Sequence, residues 1–377
     1  MTLAQPPIWL ILIAFILALG PLVFIHELGH YLAARWLGVG AETFSIGFGH
    51  EVTGWTDKRG TRWKVGWLPL GGYVKFIGDE HVASAPGDQG ALSEEDRARS
   101  FHLRPVWQRF LIVLAGPMSN FLLAIAIFAA FFAVYGVPRT PPVVSAVQPG
   151  SAAESAQIQP GDRILSIGGR NTATFGDLLN FTVLHPGEVV TVRVQRDGRT
   201  REVGVKLGVE VEEDRFGQKF ERGVLGVLPV DAVYERASPL ELIPTATGHV
   251  VKVTRSIVDV LVQMVTGRRS VKELGGPLKI AQVAGQQASL GWIDFVGLIA
   301  ALSINLGFIN LLPVPVLDGG HLLFYAIEGI RRRPVSPRTQ DWAFRGGLAL
   351  ILALVIFTTV NDLGSFGLWE RLERLIG

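Results

Sequence analysis

The chain contains no cysteine among its 377 residues, and only 18% of its residues are charged. The absence of cysteine excludes disulfides and thiolate ligands, so any metal site must use histidine, aspartate, glutamate or water. A net charge of +2 is too small to favour a nucleic acid as a partner. A hydrophobic fraction of 49% and a mean hydropathy of +0.35 are too apolar for an ordinary soluble protein. These figures predict a polytopic membrane protein.

Four apolar stretches predict four transmembrane helices. Three of them, 8–34, 110–135 and 343–360, are continuous runs of the length that a spanning helix needs. The fourth, 293–330, contains two asparagines, two prolines and Asp318, so we expect a span that is broken near its middle. Broken spans usually line a polar site. No lysine or arginine precedes the first run and no convincing cleavage site follows it, which favours a retained span over a signal peptide.

A fifth stretch, 245–265, carries Lys252, Arg255 and Asp259 at helical spacings of three and four. We expect this helix to lie at the membrane interface or to brace a domain. With four spans, the basic loop after the first span lies on the same side as the arginine cluster after the third. The positive-inside rule assigns that side to the cytoplasm. A fifth span would put these two basic regions on opposite sides.

An insert with soluble character, about 140–235, lies between the second and third spans and is therefore predicted on the extracytoplasmic side. Its β-rich runs are joined by Asp197-Gly198, which is a strong hairpin signal. The composition predicts a small, mostly β domain. The composition of another polar segment, 81–96, predicts a mobile loop.

The stretch F-I-H-E-L-G-H places His26, Glu27 and His30 in the pattern H-E-x-x-H. On a helix, residues i and i+4 share a face, so both imidazoles can bind one metal ion while Glu27 reaches a water on it. Zinc is the usual ion for such ligands. The alternative is that these side chains lie at a helix end, hydrogen-bonded to each other and to lipid headgroups.

Two histidines and a water leave a catalytic zinc one protein ligand short. Asp318, in N-L-L-P-V-P-V-L-D-G-G, is the best third candidate because it lies in the broken span and in the same half of the membrane as His30. A buried aspartate paired with an arginine is the competing interpretation. His321 is a rival ligand close by in the chain.

These residues resemble a known family. H-E-x-x-H in a first span, with Leu317-Asp318-Gly319 in a later one, is similar to the site-2 class of intramembrane zinc metalloproteases, most of all the bacterial regulator-of-sigma-E protease type. The stretches G-P-M-S-N-F, L-G-G-P and N-L-L-P-V-P-V-L-D-G-G-H agree with it. The resemblance implies that His26, His30 and Asp318 bind Zn²⁺, that Glu27 activates water, and that Asn310 helps to hold the substrate.

The resemblance also implies a PDZ-like domain in the insert, on V-Q-P-G-S-A-A-E-S-A-Q-I-Q-P-G-D-R-I-L-S-I-G-G. Gln157 stands where the family commonly has glycine, and the tail 209–234 has no assignment. The Gly-rich stretches 44–54 and 63–76 match the family's membrane-dipping β-hairpin, whose edge can pair with an unwound substrate. The alternatives are a β-rich spacer without peptide binding and an ordinary cytoplasmic hairpin.

The predicted fold class is a polytopic α-helical membrane protein with four transmembrane helices, a membrane-associated β-hairpin region and one extracytoplasmic PDZ-like domain. The predicted segments are a first span (1–38), a β-hairpin region with the polar loop (39–105), a second span (106–137), the PDZ-like insert with its tail (140–235), an amphipathic helix with a Gly-Gly-Pro loop (237–290), a broken third span (291–332) and a fourth span with a C-terminal tail (341–377).

The predicted function is hydrolysis of a peptide bond in single-span membrane proteins of the bacterial inner membrane. By resemblance the substrates are a pre-trimmed anti-sigma factor or remnant signal peptides, and the expected partners are that substrate, the lipid bilayer and a peptide ligand of the PDZ-like domain. A membrane-anchored peptide-binding protein with a structural metal and a metal carrier are the competing functions. Glu27 discriminates between them, because neither alternative needs a carboxylate beside the metal that is not itself a ligand.

Overall fold

The computed structural model describes residues 6–79, 92–213, 219–231 and 233–365. The described helices are α1 (Ile8–Trp36), α2 (Glu94–Arg99), α3 (Val106–Tyr135), α4 (Ala152–Ser155), α5 (Phe175–Val183), α6 (Pro239–Val265), α7 (Pro277–Leu290), α8 (Trp292–Leu311), α9 (Asp318–Arg331) and α10 (Pro337–Ser365). The described strands are β1 (Ala41–Thr56), β2 (Arg62–Phe76), β3 (Val137–Pro138), β4 (Val144–Val147), β5 (Arg163–Ile167), β6 (Arg170–Asn171), β7 (Val189–Arg196), β8 (Arg199–Lys206), β9 (Gly208–Glu213), β10 (Lys219–Val224), β11 (Val227–Pro229) and β12 (Tyr234–Glu235). The chain divides into one unit of residues 1–128 and 275–362 and a second unit of residues 129–274 and 363–377.

Among the described helices, α1, α3, α8 and α10 are long and apolar enough to cross a membrane. The prediction of four spans in a helical membrane protein is therefore confirmed. The third span is broken as expected, since α8 ends at Leu311 and α9 begins only at Asp318. The stretch 245–265, which we expect at the membrane interface or against a domain, forms part of α6, and α6 is not among these four helices.

Helix α1 carries the first metal motif, and its small residues set how closely its neighbours approach. Ala14 and Ala18 are fully buried in a cluster with Ala284 of α7 and Phe295 of α8. The chain leaves the helix through Gly38, whose φ of +78° is a left-handed conformation that glycine adopts without strain. Packing thus fixes the first half of the motif helix, and a glycine marks its end.

Strands β1 and β2 fold back into a sheet whose middle is the first half of β1. Phe44 lies beside Val74 on one side and beside Trp63 on the other, and Trp55 is the next partner beyond Trp63. The rings of Phe44 and Trp63 stack with their centroids 4.3 Å apart, and Phe44 is almost fully buried. The structure thus pairs β1 with β2 as an antiparallel sheet. Its dipping into the membrane remains a prediction.

The segment that follows β2 is closed by a buried ion pair. Residues 80–91, which include most of the predicted polar loop, lie outside the described residues. Asp79 accepts a hydrogen bond from the Phe76 N–H at 2.9 Å, and His102 Nε2 lies 2.8 Å from its other oxygen. Burial raises the pKa of Asp79, and the hydrogen bond from His102 opposes that rise. Asp79 and His102, which flank the polar loop in the chain, are therefore held next to each other.

The second unit contains a four-stranded antiparallel sheet in the order β6-β5-β7-β8, with α5 packed on it. Alternate residues of the strands are buried, and the core contains Ile164, Ile167, Leu178, Val192 and Val194. The turn between β7 and β8 is the predicted Asp197-Gly198 pair, and both residues have positive φ values, as a type I′ turn requires. A small, mostly β domain is therefore confirmed for the insert.

The tail 209–234, which has no assignment from the sequence, belongs to this domain. Strands β9 and β10 form an antiparallel ribbon, although residues 214–218 between them lie outside the described residues. Leu225 then enters the core, and β11 pairs with β4 near the start of the insert. The tail closes the domain by pairing its last strands with its first.

Helix α6 braces the insert through its polar face. Arg170 makes two hydrogen bonds to Asp259, at 2.5 and 2.8 Å, and Lys252 pairs with Asp177 of α5 at 2.8 Å. Gln263 donates to the Leu184 carbonyl at 2.7 Å. Two of the three charged residues that characterised the stretch 245–265 are thus used in domain contacts, as the bracing interpretation expected.

Gln157 lies in a backbone conformation that favours glycine. It follows α4 with φ +55°, in the left-handed region, where a side chain other than glycine is disfavoured. Its carbonyl accepts hydrogen bonds from Arg196 and Arg201, which hold the conformation in place. The chain therefore leaves α4 through a left-handed residue that is not glycine.

The left-handed conformation predicts that Gln157→Gly stabilises the insert by about 0.5–1 kcal/mol. Amide hydrogen exchange of β5 and β7 in the purified chain should slow by about two- to fivefold at that free energy. Ala156→Gly is the matched control, because Ala156 has an ordinary φ of −87° and should lose stability instead. Equal effects of the two substitutions would contradict the strain assigned to Gln157.

Candidate metal centre

The H-E-x-x-H motif lies in the second half of α1, and its two imidazoles meet on one face of that helix. His26 Nε2 and His30 Nε2 are 3.3 Å apart, and the ring planes are 87° to each other. Both histidines are 8% exposed. The four-residue spacing places the rings one above the other, so this half of the site follows from helix geometry alone.

Asp318 brings the third donor from the start of α9. Its Oδ2 lies 3.1 Å from His26 Nε2 and 3.4 Å from His30 Nε2. The structure therefore joins the three side chains that the sequence singled out as ligands. Asp318 contacts two imidazoles rather than the arginine of the competing interpretation. His321 lies against the Phe344 ring and is not a member of the cluster.

A tight turn between α8 and α9 positions Asp318. The Leu317 N–H bonds to the Val314 carbonyl across Pro315 and Val316, and Val316 has a φ of +91°. A type II turn has this form, with proline second and usually glycine third. A β-branched residue there stores about 1–3 kcal/mol of strain. The strain lies within two residues of Asp318.

The glycines after Asp318 let the turn fold back onto α9. A Cβ on Gly319 would lie 2.2 Å from the Leu312 carbonyl oxygen, and one on Gly320 would lie 2.5 Å from that of Val314. Neither position can hold a side chain without moving backbone. Both glycines are thus required by the shape of the turn that carries the carboxylate.

The three donors fit a zinc ion. Tetrahedral zinc with bonds of about 2.0–2.2 Å holds its ligand atoms about 3.3–3.6 Å apart, and the three measured separations are 3.1–3.4 Å. Asp318 Oδ2 is buried without a hydrogen bond of good geometry, which is costly unless a cation satisfies it. Within the part of the chain that the structure describes, this is the one group of three such donors that can share an ion.

Glu27 lies beside this group and is 9% exposed. Strand β2 packs directly against it: a Cβ on Gly72 would lie 3.1 Å from Glu27 Cγ, and the Val74 backbone hydrogen-bonds to the Glu27 carboxylate. Glu27 is not among the three clustered donors. A buried carboxylate that is next to a metal group without belonging to it is free to accept a proton.

Helix α3 supports the two imidazoles from behind. The His30 Nδ1 lies 2.9 Å from the Ile112 carbonyl oxygen, and the His26 Nδ1 lies 3.2 Å from the Asn120 side-chain amide. Midway between these two residues, a Cβ on Gly116 would lie 2.1 Å from His30 Nε2. The stretch G-P-M-S-N-F therefore borders the metal group itself.

Asn310 is half-buried in the last turn of α8, just before the turn that carries Asp318. Its expected role in holding substrate stays a prediction. The sequence missed the Ile112 carbonyl, because a main-chain acceptor leaves no residue-type signal.

Gly116→Ala should abolish metal retention, because its methyl group would occupy the space next to His30 Nε2. Alanine favours a helix over glycine by about 1 kcal/mol, so helix stability alone would change in the opposite direction. Gly20→Ala in α1 is the matched control, since a Cβ at Gly20 meets nothing within 4 Å. Zinc per chain, measured by mass spectrometry after purification, should fall for Gly116→Ala only. Full zinc content in Gly116→Ala would contradict the close approach of position 116 to the His30 ring.

Comparison with known proteins places this arrangement in a family. The sequence profile of peptidase family M50 matches residues 14–354. A candidate zinc metalloprotease of Agrobacterium fabrum is 44% identical over 363 residues, which cover 94% of this chain and 96% of that protein. The metalloprotease MmpA of Caulobacter vibrioides is 38% identical over 391 residues, covering 97% of this chain and 98% of that protein.

Among solved structures, the PDZ domain of an SdrC-like protein from Listeria monocytogenes aligns with 25% of this chain and 93% of its own length. The identity is 19% and the TM-score is 0.20. Over most of its length the chain is 38–44% identical to proteins named as metalloproteases, zinc metalloproteases among them. It belongs to peptidase family M50, the site-2 protease family.

Proposed function

We propose that His26, His30 and Asp318 hold the zinc of this metalloprotease, and that Glu27 is the general base that acts on water in the hydrolysis of a transmembrane peptide bond. The observation that carries the proposal is the triangle of donor atoms with sides of 3.1–3.4 Å, next to a buried carboxylate. A structural metal site in an anchor protein, or a transport site in a carrier, gives no role to Glu27.

When bound, zinc supplies Lewis acidity, which lowers the pKa of a water and polarises the scissile carbonyl. Glu27 accepts the proton from the attacking water and delivers it to the leaving amine. Its position next to His26 in the chain, on a helix that the cluster fixes in place, keeps the carboxylate oriented toward the same space. The contact with Val74 restricts the Glu27 side chain further.

The substrate is a membrane-spanning helix that must unwind before its peptide bond is exposed. The segment 72–76 of β2 lies at Glu27 and pairs with β1 on its other side. We propose that it offers backbone hydrogen bonds to the unwound substrate, as an added strand receives them at a sheet edge. Asn310 is proposed to hold the same segment. The exposed Phe48, Trp55 and Trp67 support contact of the hairpin with the bilayer.

The insert is proposed to be a PDZ-like domain that binds a peptide outside the cytoplasm. A cleft of about 120 Å³ lies between α5 and the segment that joins β10 to β11. Leu178, Leu179 and Leu225 give it an apolar lining, and Gly226 has a φ of +79° at its rim. The proposed substrates are single-span proteins already trimmed on that side, such as an anti-sigma factor, or remnant signal peptides.

Glu27→Gln should keep zinc and lose cleavage of a single-span substrate by about 10²–10⁴-fold, the usual contribution of a general base. The assay uses the purified full chain, with zinc content measured on the same sample. Glu42→Gln is the control, because Glu42 is a carboxylate paired with Lys75 at the base of the sheet. Cleavage by Glu27→Gln at the rate of the control would refute the assignment.

The sidedness can be tested directly because the chain has no cysteine of its own. Thr200→Cys, on exposed β8, should react with a membrane-impermeant maleimide in intact spheroplasts. Lys58→Cys, in the exposed turn between β1 and β2, should react only after lysis. The opposite labelling pattern would place the insert in the cytoplasm and overturn the proposed route of the substrate.

A further inference from the structure

The two imidazoles of the metal group are held at their δ nitrogens by the same helix. The Ile112 carbonyl is an acceptor only, so His30 Nδ1, at 2.9 Å, carries the proton of that bond. His30 Nε2 then keeps a free lone pair and faces the shared site. A metal ligand of this kind almost always donates its other N–H to an acceptor.

His26 meets a side-chain amide instead. Its Nδ1 lies 3.2 Å from Asn120 Nδ2, and an amide N–H in that place donates to the ring. The proton of a neutral His26 would then sit on Nε2, which points at Asp318 Oδ2 and His30 Nε2. That tautomer blocks the lone pair that a metal needs. His30 would then face the site with an Nε2 lone pair, whereas His26 would face it with an Nε2–H.

Asn120 itself carries an unmet requirement. The residue is fully buried, and its Oδ1 has no hydrogen-bond donor among the described residues. Its carbonyl accepts a hydrogen bond of 2.7 Å from Ser303 of α8, which fixes the backbone of α3 at this point. An unsatisfied buried acceptor costs about 1–3 kcal/mol. His26 Nδ1 lacks an acceptor for a proton, and the Asn120 amide that faces it carries an unused acceptor, Oδ1.

We propose that Asn120 is a positioning residue for zinc binding: with its amide turned by 180°, Oδ1 accepts the His26 Nδ1–H and leaves the Nε2 lone pair facing the metal group. The two ends of an amide have nearly the same shape, so the turn needs no extra space. The orphan acceptor gains a donor in the same step. Each imidazole then donates its Nδ1–H to an oxygen of α3, His30 to the Ile112 carbonyl and His26 to Asn120 Oδ1.

The inference rests on the proposed ligand set. It predicts that zinc affinity depends on an oxygen that faces His26 Nδ1 and not on the volume of the side chain at position 120. Asn120→Asp keeps an oxygen toward His26 Nδ1, whereas Asn120→Leu keeps most of the volume and removes the oxygen. A polar contact between helices without a role toward His26 would make both substitutions act on folding, not on zinc. The chemistry of the side chain therefore separates the two roles.

The experiment measures zinc retention by the purified full chain during a challenge with a coloured chelator, in the Glu27→Gln background so that no cleavage intervenes. Asn120→Asp should retain zinc within about threefold of the parent. Asn120→Leu should lose affinity by about 10–100-fold, the usual effect of removing such a partner. Ser303→Ala, which removes the hydrogen bond to the Asn120 carbonyl only, is the control and should behave as the parent.

A second readout separates zinc binding from folding. The rise in melting temperature on adding zinc should be lost in Asn120→Leu, while the zinc-free protein melts close to the parent. If Asn120→Leu does not fold, Asn120→Ala takes its place in both assays. Parental retention by the Leu and Ala variants, or equal loss in the Asp variant, would overturn the role of Asn120.

His26→Ala distinguishes this failure from failure of the proposed function. Zinc should be lost from His26→Ala whatever Asn120 does. If His26→Ala keeps zinc, the ligand set itself is wrong and the inference falls with it. If His26→Ala loses zinc while Asn120→Leu keeps it, the ligand set stands and only the role of Asn120 is rejected.

Discussion

The unit formed by residues 1–128 and 275–362 depends on the meeting of three electron-pair donors among its apolar helices. His26 Nε2, His30 Nε2 and Asp318 Oδ2 lie within 3.4 Å of one another, and all three side chains are largely buried. Such donors have no good partners in one another, and burying them unsatisfied is expensive. A divalent cation satisfies all three at once. The fold therefore brings together a group that a divalent cation would stabilise, which is the basis of its proposed role as the zinc site.

The backbone around this group is shaped to permit close approach. Gly116 leaves room for the His30 ring, and a Cβ on Gly29 would lie 2.5 Å from the Ala115 carbonyl oxygen, so α1 and α3 nearly touch. The turn before Asp318 accepts a strained Val316, and Gly319 lets it close. Strain of this kind persists only where the surroundings fix it, and here it lies beside the carboxylate that the site requires.

Local rules in the sequence predicted much of the fold. The apolar runs gave four spans because a helix must cover about 30 Å of hydrocarbon, and the prolines after Asn310 gave the break before Asp318. Asp197-Gly198 specified its turn because both positions need a positive φ. The tail 209–234 could not be placed, since β11 pairs with β4, a strand at the opposite end of the insert. The polar spacing in α6 indicated a second contact face without indicating which residues it meets.

The sequence by itself determined that His26 and His30 share a face, because a helix repeats every 3.6 residues, and it predicted the role of Glu27 from its place next to His26. It also singled out Asp318 as the third donor, from residue type and depth. Only the tertiary structure decided how far apart the three donors lie, that Gly116 and Asn120 border them, and that β2 lies against Glu27. Those contacts join segments distant in the chain, and they depend on how side chains of several helices pack together. No short-range periodicity encodes that packing.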